Sequence, residues 1–417
     1  MVLSAHAVAV DEGRIIELLP ARDAVDRYEP ARRVDLPDHV LLPGLINLHT
    51  HAAMTLLRGY ADDMELMAWL RRRIWPAECR HASATFVHDG TLLACAEMLR
   101  GGVTCFNDMY FYPEAAARAA LEAGMRAAVG IIAVEFATGY ASDADDYLTK
   151  GLAARDEMKG EPLLSFCMAP HAPYTVSDRT LSRIVTFSDQ LGIPVHIHVH
   201  ETRAEIEESL AQYDLRPLAR LEKLGLLGPA LIAVHGVFLE PDELVRLAQS
   251  GCHLAHCPTS NMKLASGIAP IAAALEKGVS VGLGTDGAAS NNRLDMFREM
   301  RHAALLGKVA CGNAAAVDAH EVLRMATLEG AIALGLDGVV GSILPGKDAD
   351  LCAVKLSGPE LAPVYDPASH LVYVAGREHV THVWIRGVPR VEEGRLLHIS
   401  NSELLDTARL WQNKIIT

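Results

Sequence analysis

Two histidines flank a single residue in Pro43-Gly44-Leu45-Ile46-Asn47-Leu48-His49-Thr50-His51, at the end of a short apolar run. On a β-strand, side chains two apart share a face, with Cα atoms up to ~6.8 Å apart, so both imidazoles can converge on one ion at ~2.0–2.1 Å each. Taken alone, such a pair is more often two solvated loop histidines. A second run, His196-Ile197-His198-Val199-His200-Glu201, alternates three histidines with β-branched residues and ends on a carboxylate. By parity the three histidines share one face, and Glu201 has the opposite parity. Spacing does not choose which of the three would bind an ion, but a packed core does not favour three imidazoles in a row. His235 (before Gly236), His256 (before Cys257-Pro258) and Asp286 (in Thr285-Asp286-Gly287) close three further runs. Each by itself reads as structural. Five run ends carrying His or Asp are better explained by a metal site. Imidazole plus carboxylate suits Zn²⁺ or Fe²⁺, and an open position for water makes such a site catalytic. The ion lowers the pKa of its water toward ~7, and a nearby carboxylate moves protons.

These residues need a scaffold that brings several strand ends together. Apolar runs at 40–48, 103–108, 126–134, 163–169, 193–199, 231–235, 252–256 and 279–284 alternate with helix signals. Ser83 caps a helix that runs to Arg100 and stops at Gly101; Pro113 opens another; Ser177 caps one ending near Gly192; Glu240-Pro241 opens one that ends by Gly251. Eight strands alternating with helices predict an α/β fold, a (β/α)₈ TIM-like barrel whose active site lies at the C-terminal ends of the strands. The alternative, a doubly wound open sheet, lacks its G-x-G-x-x-G turn. The two ends of the chain read as short antiparallel strands around turns at 11–13 and 387–389. We therefore expect a small composite β-sandwich from residues 1–40 and 345–400, a barrel over 41–344, and an amphipathic helical tail over 401–417 carrying Leu404, Leu405, Leu410 and Trp411.

Composition narrows the function classes. The 417 residues are 50% apolar and 22% charged, which suits a large core. A net charge of −14 argues against a nucleic-acid or anionic-membrane partner. The 8 cysteines form no C-x-x-C pair, and Cys105, Cys167, Cys252 and Cys257 lie in or beside apolar runs; they read as free thiols in a reducing, cytoplasmic setting. The first Lys or Arg is Arg14, and no signal-peptide pattern is visible.

The motifs P-G-L-I-N-L-H-T-H, H-V-H-E-T, V-H-G, H-C-P-T-S-N and G-T-D-G resemble the metal-dependent amidohydrolase superfamily, in its nucleobase-deaminase branch. The longer run from His49 to Asp63, followed by Trp75-Pro76-Ala77-Glu78, is similar to the 5-methylthioadenosine/S-adenosylhomocysteine deaminases. The resemblance extends roughly from Val8 to Leu397. It implies that His49, His51, His198 and Asp286 are metal ligands, with Glu201 as proton-shuttling acid/base in the H-x-x-E spacing. It assigns His235 to the attacking water or leaving group, and Asp286 to the water's proton as well. It places Glu78 on the ribose hydroxyls and His171 on the purine. His196 and His200 remain as supporting or packing residues. Dinuclear superfamily members carry a carboxylated lysine on the fourth strand; residues 163–171 have none, so one Zn²⁺ per chain is implied, with Fe²⁺ as the other candidate. By analogy the chain is a homodimer or larger homo-oligomer. Some relatives use an arginine after the third strand for the substrate's tail; Phe136 to Ala141 offers none, which favours small-tailed nucleosides.

The leading expectation is hydrolytic deamination of an adenine nucleoside (5′-methylthioadenosine, S-adenosylhomocysteine or adenosine). A guanine-type or s-triazine substrate on the same site is the enzymatic alternative, and Glu78 discriminates, because a free base has no diol to hold. A non-catalytic, metal-stabilised binding protein would not need both Glu201 and Asp286. Pro76 is expected to break its helix and leave Glu78 near the barrel mouth.

Overall fold

A computed structural model describes residues 2–417. Eight parallel strands follow one another around a single sheet: Leu45–Thr50, Val103–Asp108, Arg126–Ala133, Leu164–Pro170, Val195–Val199, Leu231–His235, His253–His256 and Ser280–Leu283. Almost every residue in them is buried, as expected for strands covered on both faces. The first and eighth strands meet through loop contacts. The Thr285 amide donates to Asn47 Oδ1 (2.9 Å), Asn47 Nδ2 donates to Thr285 Oγ1 (2.7 Å), and the Asp286 amide donates to the His49 carbonyl (3.0 Å). Gly284 makes this seam possible: a Cβ there would lie 2.8 Å from His49 Cβ. The barrel is therefore nearly closed, and the seam that closes it is also part of the candidate site.

The helix signals take effect where they stand. Ser83 accepts the Phe86 amide and caps Ala84–Arg100, which stops at Gly101. Ser177 caps Asp178–Leu191 through the Thr180 amide, and Gly192 ends it in the left-handed conformation. Pro113–Ala123 and Pro241–Gln249 each start on their proline.

The run 40–48 is two strands. His39–Pro43 pairs antiparallel with Leu351–Lys355, and only Leu45–Thr50 enters the barrel. The break falls at Gly44, whose Cβ would overlap the Thr104 side chain at 2.1 Å. Both termini build the second unit: a five-stranded antiparallel sheet (Arg395–Leu396, Val388–Glu392, Val380–Ile385, Leu351–Lys355, His39–Pro43) and the hairpin His6–Asp11/Arg14–Pro20. Ile15, Ala349 and Leu351 form the small core between hairpin and sheet. Buried Arg126, from the third barrel strand, ties this unit to the barrel by donating to Asp348 (2.8 Å) and Asp350 (3.0 Å).

The tail is the helix Asn401–Ile416, capped by Ser400. Leu404, Trp411 and Ile415 are buried, while Leu405 and Leu410 are exposed. The apolar face is thus narrower than the four expected residues, because 3.6-residue periodicity puts Leu405 and Leu410 off the packed stripe. Trp411 packs edge-on to Phe86, and its Nε1 donates to Asp89 (2.8 Å). All eight cysteines are free. Among the described residues, no helix is long and apolar enough to cross a membrane.

Candidate active site

Four side chains converge at the C-terminal end of the barrel. His49 Nε2 lies 3.2 Å from His198 Nε2 and 3.3 Å from Asp286 Oδ1, and His51 Nε2 lies 3.2 Å from the same carboxylate oxygen. Each donor is aimed by a second contact. His51 Nδ1 donates to the Met109 carbonyl (2.6 Å) and His198 Nδ1 to the His171 carbonyl (2.7 Å). Carbonyls can only accept, so Nδ1 carries a proton in both rings, and the neutral form of each directs a bare Nε2 inward. His49 Nδ1 is 2.9 Å from His196 Nε2. Asp286 accepts from Ser260 (2.6 Å), Ser290 (2.7 Å) and the Gly287 amide (2.7 Å).

The donor set fits a cation. With Nδ1 of His49 and His198 protonated, their Nε2 lone pairs face each other at 3.2 Å, an arrangement that is repulsive unless positive charge lies between them. Four ligands at ~2.0–2.1 Å from a tetrahedral ion stand about 3.3–3.4 Å apart, close to the three separations above. Burial holds the pKa of His49 down to about 4 and those of His198 and His196 well below the ordinary value, so these rings are neutral, and His49 and His198 can ligate through Nε2. Burial opposes charge on His51 too, but the adjacent Asp286 outweighs it and holds that pKa at about 9. The Asp286 carboxyl is also buried, yet His49 and His51 keep it well below its usual range.

Glu201 and His235 complete this end. Glu201 Oε2 is 3.8 Å from His235 Nε2, and burial raises its carboxyl above the ordinary value against the pull of His235. His235 Nδ1 pairs with Asn261 Oδ1 (2.9 Å). His200, His235 and Asp286 all sit at φ between +57° and +72°, uncommon for side chains other than glycine. Sparsely populated backbone of this kind clusters at functional sites, where the surroundings impose it.

These ends open into a cavity of about 360 Å³. His51, His171, His198, Glu201, His235 and Asp286 form its floor. Its wall carries Trp69, Trp75, Tyr110, Phe111, Tyr112, Phe136 and Tyr140 with Glu78; no Lys or Arg is among the lining residues. Glu78 accepts from Tyr110 Oη (2.7 Å), and burial pushes its carboxyl up to about 7. Burial likewise lowers His171 to about 3, leaving it neutral.

The structure brings together every expected site residue: His49, His51, His198, Glu201, His235 and Asp286 at the floor, with His171 and Glu78 on the same cavity. Three expectations change. Pro76 does not break its helix: it lies in the first turn of Trp75–His81, directly after a π-helical turn, Leu70–Ile74. The wider turn accommodates the missing N–H, and Glu78 reaches the cavity from within a helix. His200 does not share the face of His196 and His198. The strand ends at Val199, and His200 turns outward, accepting from the Leu218 amide (3.0 Å) and lying 3.6 Å from Glu243. His256 is buried but is not one of the convergent donors. Sequence reasoning missed Asn261, Ser260 and Ser290, which hold His235 and Asp286, and Tyr110, which holds Glu78. Asn261 and Ser260 stand in the H-C-P-T-S-N run, so a signal existed; Tyr110 had none.

Comparison with known proteins agrees with this geometry. The amidohydrolase family profile matches residues 40–390. A protein of Teredinibacter turnerae named 5-methylthioadenosine/S-adenosylhomocysteine deaminase is 47% identical, over 98% of this chain and 92% of its own length. A Haloquadratum walsbyi protein of the same name is 44% identical, over 95% and 88%. Among solved structures, an adenosine deaminase from Xanthomonas campestris with bound zinc superposes with a TM-score of 0.98 at 48% identity, covering 100% of this chain and 94% of that one. An atrazine chlorohydrolase from Arthrobacter aurescens TC1, at 22% identity and TM-score 0.90 over 97% and 95%, shares the fold. The chain belongs to the amidohydrolase family, as a hydrolytic deaminase related over nearly its whole length to the 5-methylthioadenosine/S-adenosylhomocysteine deaminases.

Proposed function

We propose that this enzyme replaces the 6-amino group of an adenine nucleoside by oxygen, releasing ammonia, with 5′-methylthioadenosine or adenosine as the preferred substrate. The observation that carries this reading is the convergence of His49, His51, His198 and Asp286 beside Glu201 at the floor of a cavity whose wall holds a carboxylate, Glu78. These four residues would hold one Zn²⁺, which supplies the Lewis acidity that makes water nucleophilic near neutral pH.

The chain's own groups do the rest. Asp286 accepts the proton lost by the attacking water. Glu201, whose carboxyl burial raises above its ordinary pKa, delivers a proton to the ring nitrogen beside C6. His235, oriented by Asn261, assists the departing ammonia. His171 meets the purine as a neutral ring. Tyr110 occupies one oxygen of Glu78, and the other is left for the ribose 2′,3′-diol. Apolar and aromatic side chains surround the remaining volume, and no cation stands there to pair with an amino-acid carboxylate, which supports a small, uncharged 5′ group. The absence of lysine from Leu164–Pro170 supports a single ion.

The test is ammonia release from a nucleoside and free-base panel, with elemental analysis of protein purified with zinc. About one ion per chain and turnover of 5′-methylthioadenosine or adenosine, but not of free guanine, are expected. Two tightly held ions, or no turnover of any adenine nucleoside, would overturn the reading.

A further inference from the structure

The strand Val195–Val199 ends two residues before Glu201, and the next helix, Arg203–Tyr213, begins two residues after it. Glu201 therefore sits on a short bridge whose amides have no strand or helix partner of their own. Glu205, buried in the first turn of that helix, supplies the partners. One carboxylate oxygen accepts the His200 amide (3.0 Å) and the other accepts the Glu201 amide (2.9 Å). Glu205 is itself fixed, because its own amide donates to the cap residue Thr202 (3.3 Å). An ordinary capping box reaches back only to the cap residue's amide; this one reaches further, to the two residues before it. The bridge also needs restraint, since His200 holds φ +57°. On its side chain, Glu201 has only a long contact from Ser266 (3.5 Å) and His235 at 3.8 Å. Its position is thus set mainly through its backbone.

We infer that Glu205 is the positioning residue for Glu201: its two oxygens clamp the His200 and Glu201 amides, and so hold the acid/base carboxyl at its working distance. This rests on the reading of Glu201 as the proton carrier. Misplacement of a reacting group by ~1 Å can cost about 10²-fold in rate. Glu205→Ala should therefore lower kcat at least ten-fold with KM changed less than three-fold. Glu205→Gln, which keeps one acceptor oxygen, should fall between Glu205→Ala and the parent.

The deciding experiment is a double-mutant cycle with Glu201→Gln, on protein of parental zinc content and at enzyme concentrations that resolve the residual rate. If Glu205 acts through Glu201, Glu205→Gln lowers kcat in the parent and costs nothing further in the Glu201→Gln background. Equal losses in both backgrounds, or parental kcat in Glu205→Gln and Glu205→Ala, would overturn the inference. Near-parental turnover of Glu201→Gln alone would instead sink the acid/base reading, a separately visible outcome. Should Glu205→Ala fail to fold, the Gln variant carries the cycle.

Discussion

The floor and the wall of the cavity are built on different principles. At the floor, each convergent group has a second partner that leaves one orientation: Met109 and His171 carbonyls for His51 and His198, His196 for His49, and two serines and an amide for Asp286. The supports lie in or just beyond the barrel strands and in the short helices Pro258–Lys263 and Ala288–Asn291 that follow the last two. On the wall, Glu78 has one partner among the described residues, Tyr110, and otherwise faces aromatic and aliphatic side chains from the excursion after the first strand and from the loops after the second and third. The contrast teaches that the chemistry is preorganised while the substrate grip is looser. Perturbing the floor should lower turnover; perturbing the wall should change which nucleoside is preferred.

The sharpest break in that comparison is removal of the ion. Chelation should abolish ammonia release, and readdition of Zn²⁺ should restore it, because the ion supplies the Lewis acidity that makes water nucleophilic. Activity that survives full chelation, checked by elemental analysis, would overturn the metal reading. Next comes Glu201→Gln, which should keep its zinc and lose at least ~10²-fold in turnover. Loss of zinc instead would make Glu201 a ligand.

The wall should respond more mildly and more selectively. Glu78→Ala removes a charge-assisted contact to the diol, a cost of ~1.5–3 kcal/mol, or roughly 10- to 10²-fold in kcat/KM. The loss should appear with adenosine and shrink with 2′,3′-dideoxyadenosine. Equal losses on both compounds would mean that Glu78 acts through packing. The same pair of substrates gives a pH test. The ionised carboxylate is the better acceptor, and it prevails above a pKa of about 7. The advantage of adenosine over its dideoxy analogue should therefore grow as pH rises through 7 and fade below it. Tyr110→Phe should be the smallest effect, roughly five-fold in KM for ribonucleosides, as for one hydrogen bond of ~1 kcal/mol. If it equals the Glu78→Ala effect, Tyr110 itself is part of the clamp.

How much of this was legible beforehand differs along the chain. The barrel strands and their helices announced themselves because alternation, caps and terminal glycines are local signals; Ser83 and Gly101 bound their helix as read. Part of the floor was legible for the same reason, since His49 and His51 need only a strand to share a face; the roles of His198, Glu201, His235 and Asp286 came from resemblance. The role of Glu78 came only from resemblance, because a lone glutamate after a proline is normally solvated. His200 was misplaced because parity holds only while a strand continues, and here it ends at Val199. The split at Gly44 was not visible either, since an apolar run does not say whether its partner is antiparallel or parallel.

By itself, the sequence determined the strand and helix order, the barrel that follows from it, and the His49/His51 pair that shares a strand face. These depend on interactions between residues a few positions apart. Only the tertiary structure decided which histidine of 196, 198 and 200 faces the ion site, how Asn261, Ser260 and Ser290 hold His235 and Asp286, and that Glu78 meets Tyr110 across 32 positions of chain. Those outcomes are set by where the barrel closes and by which buried polar groups must find partners once water is gone, and neither condition exists until distant segments pack.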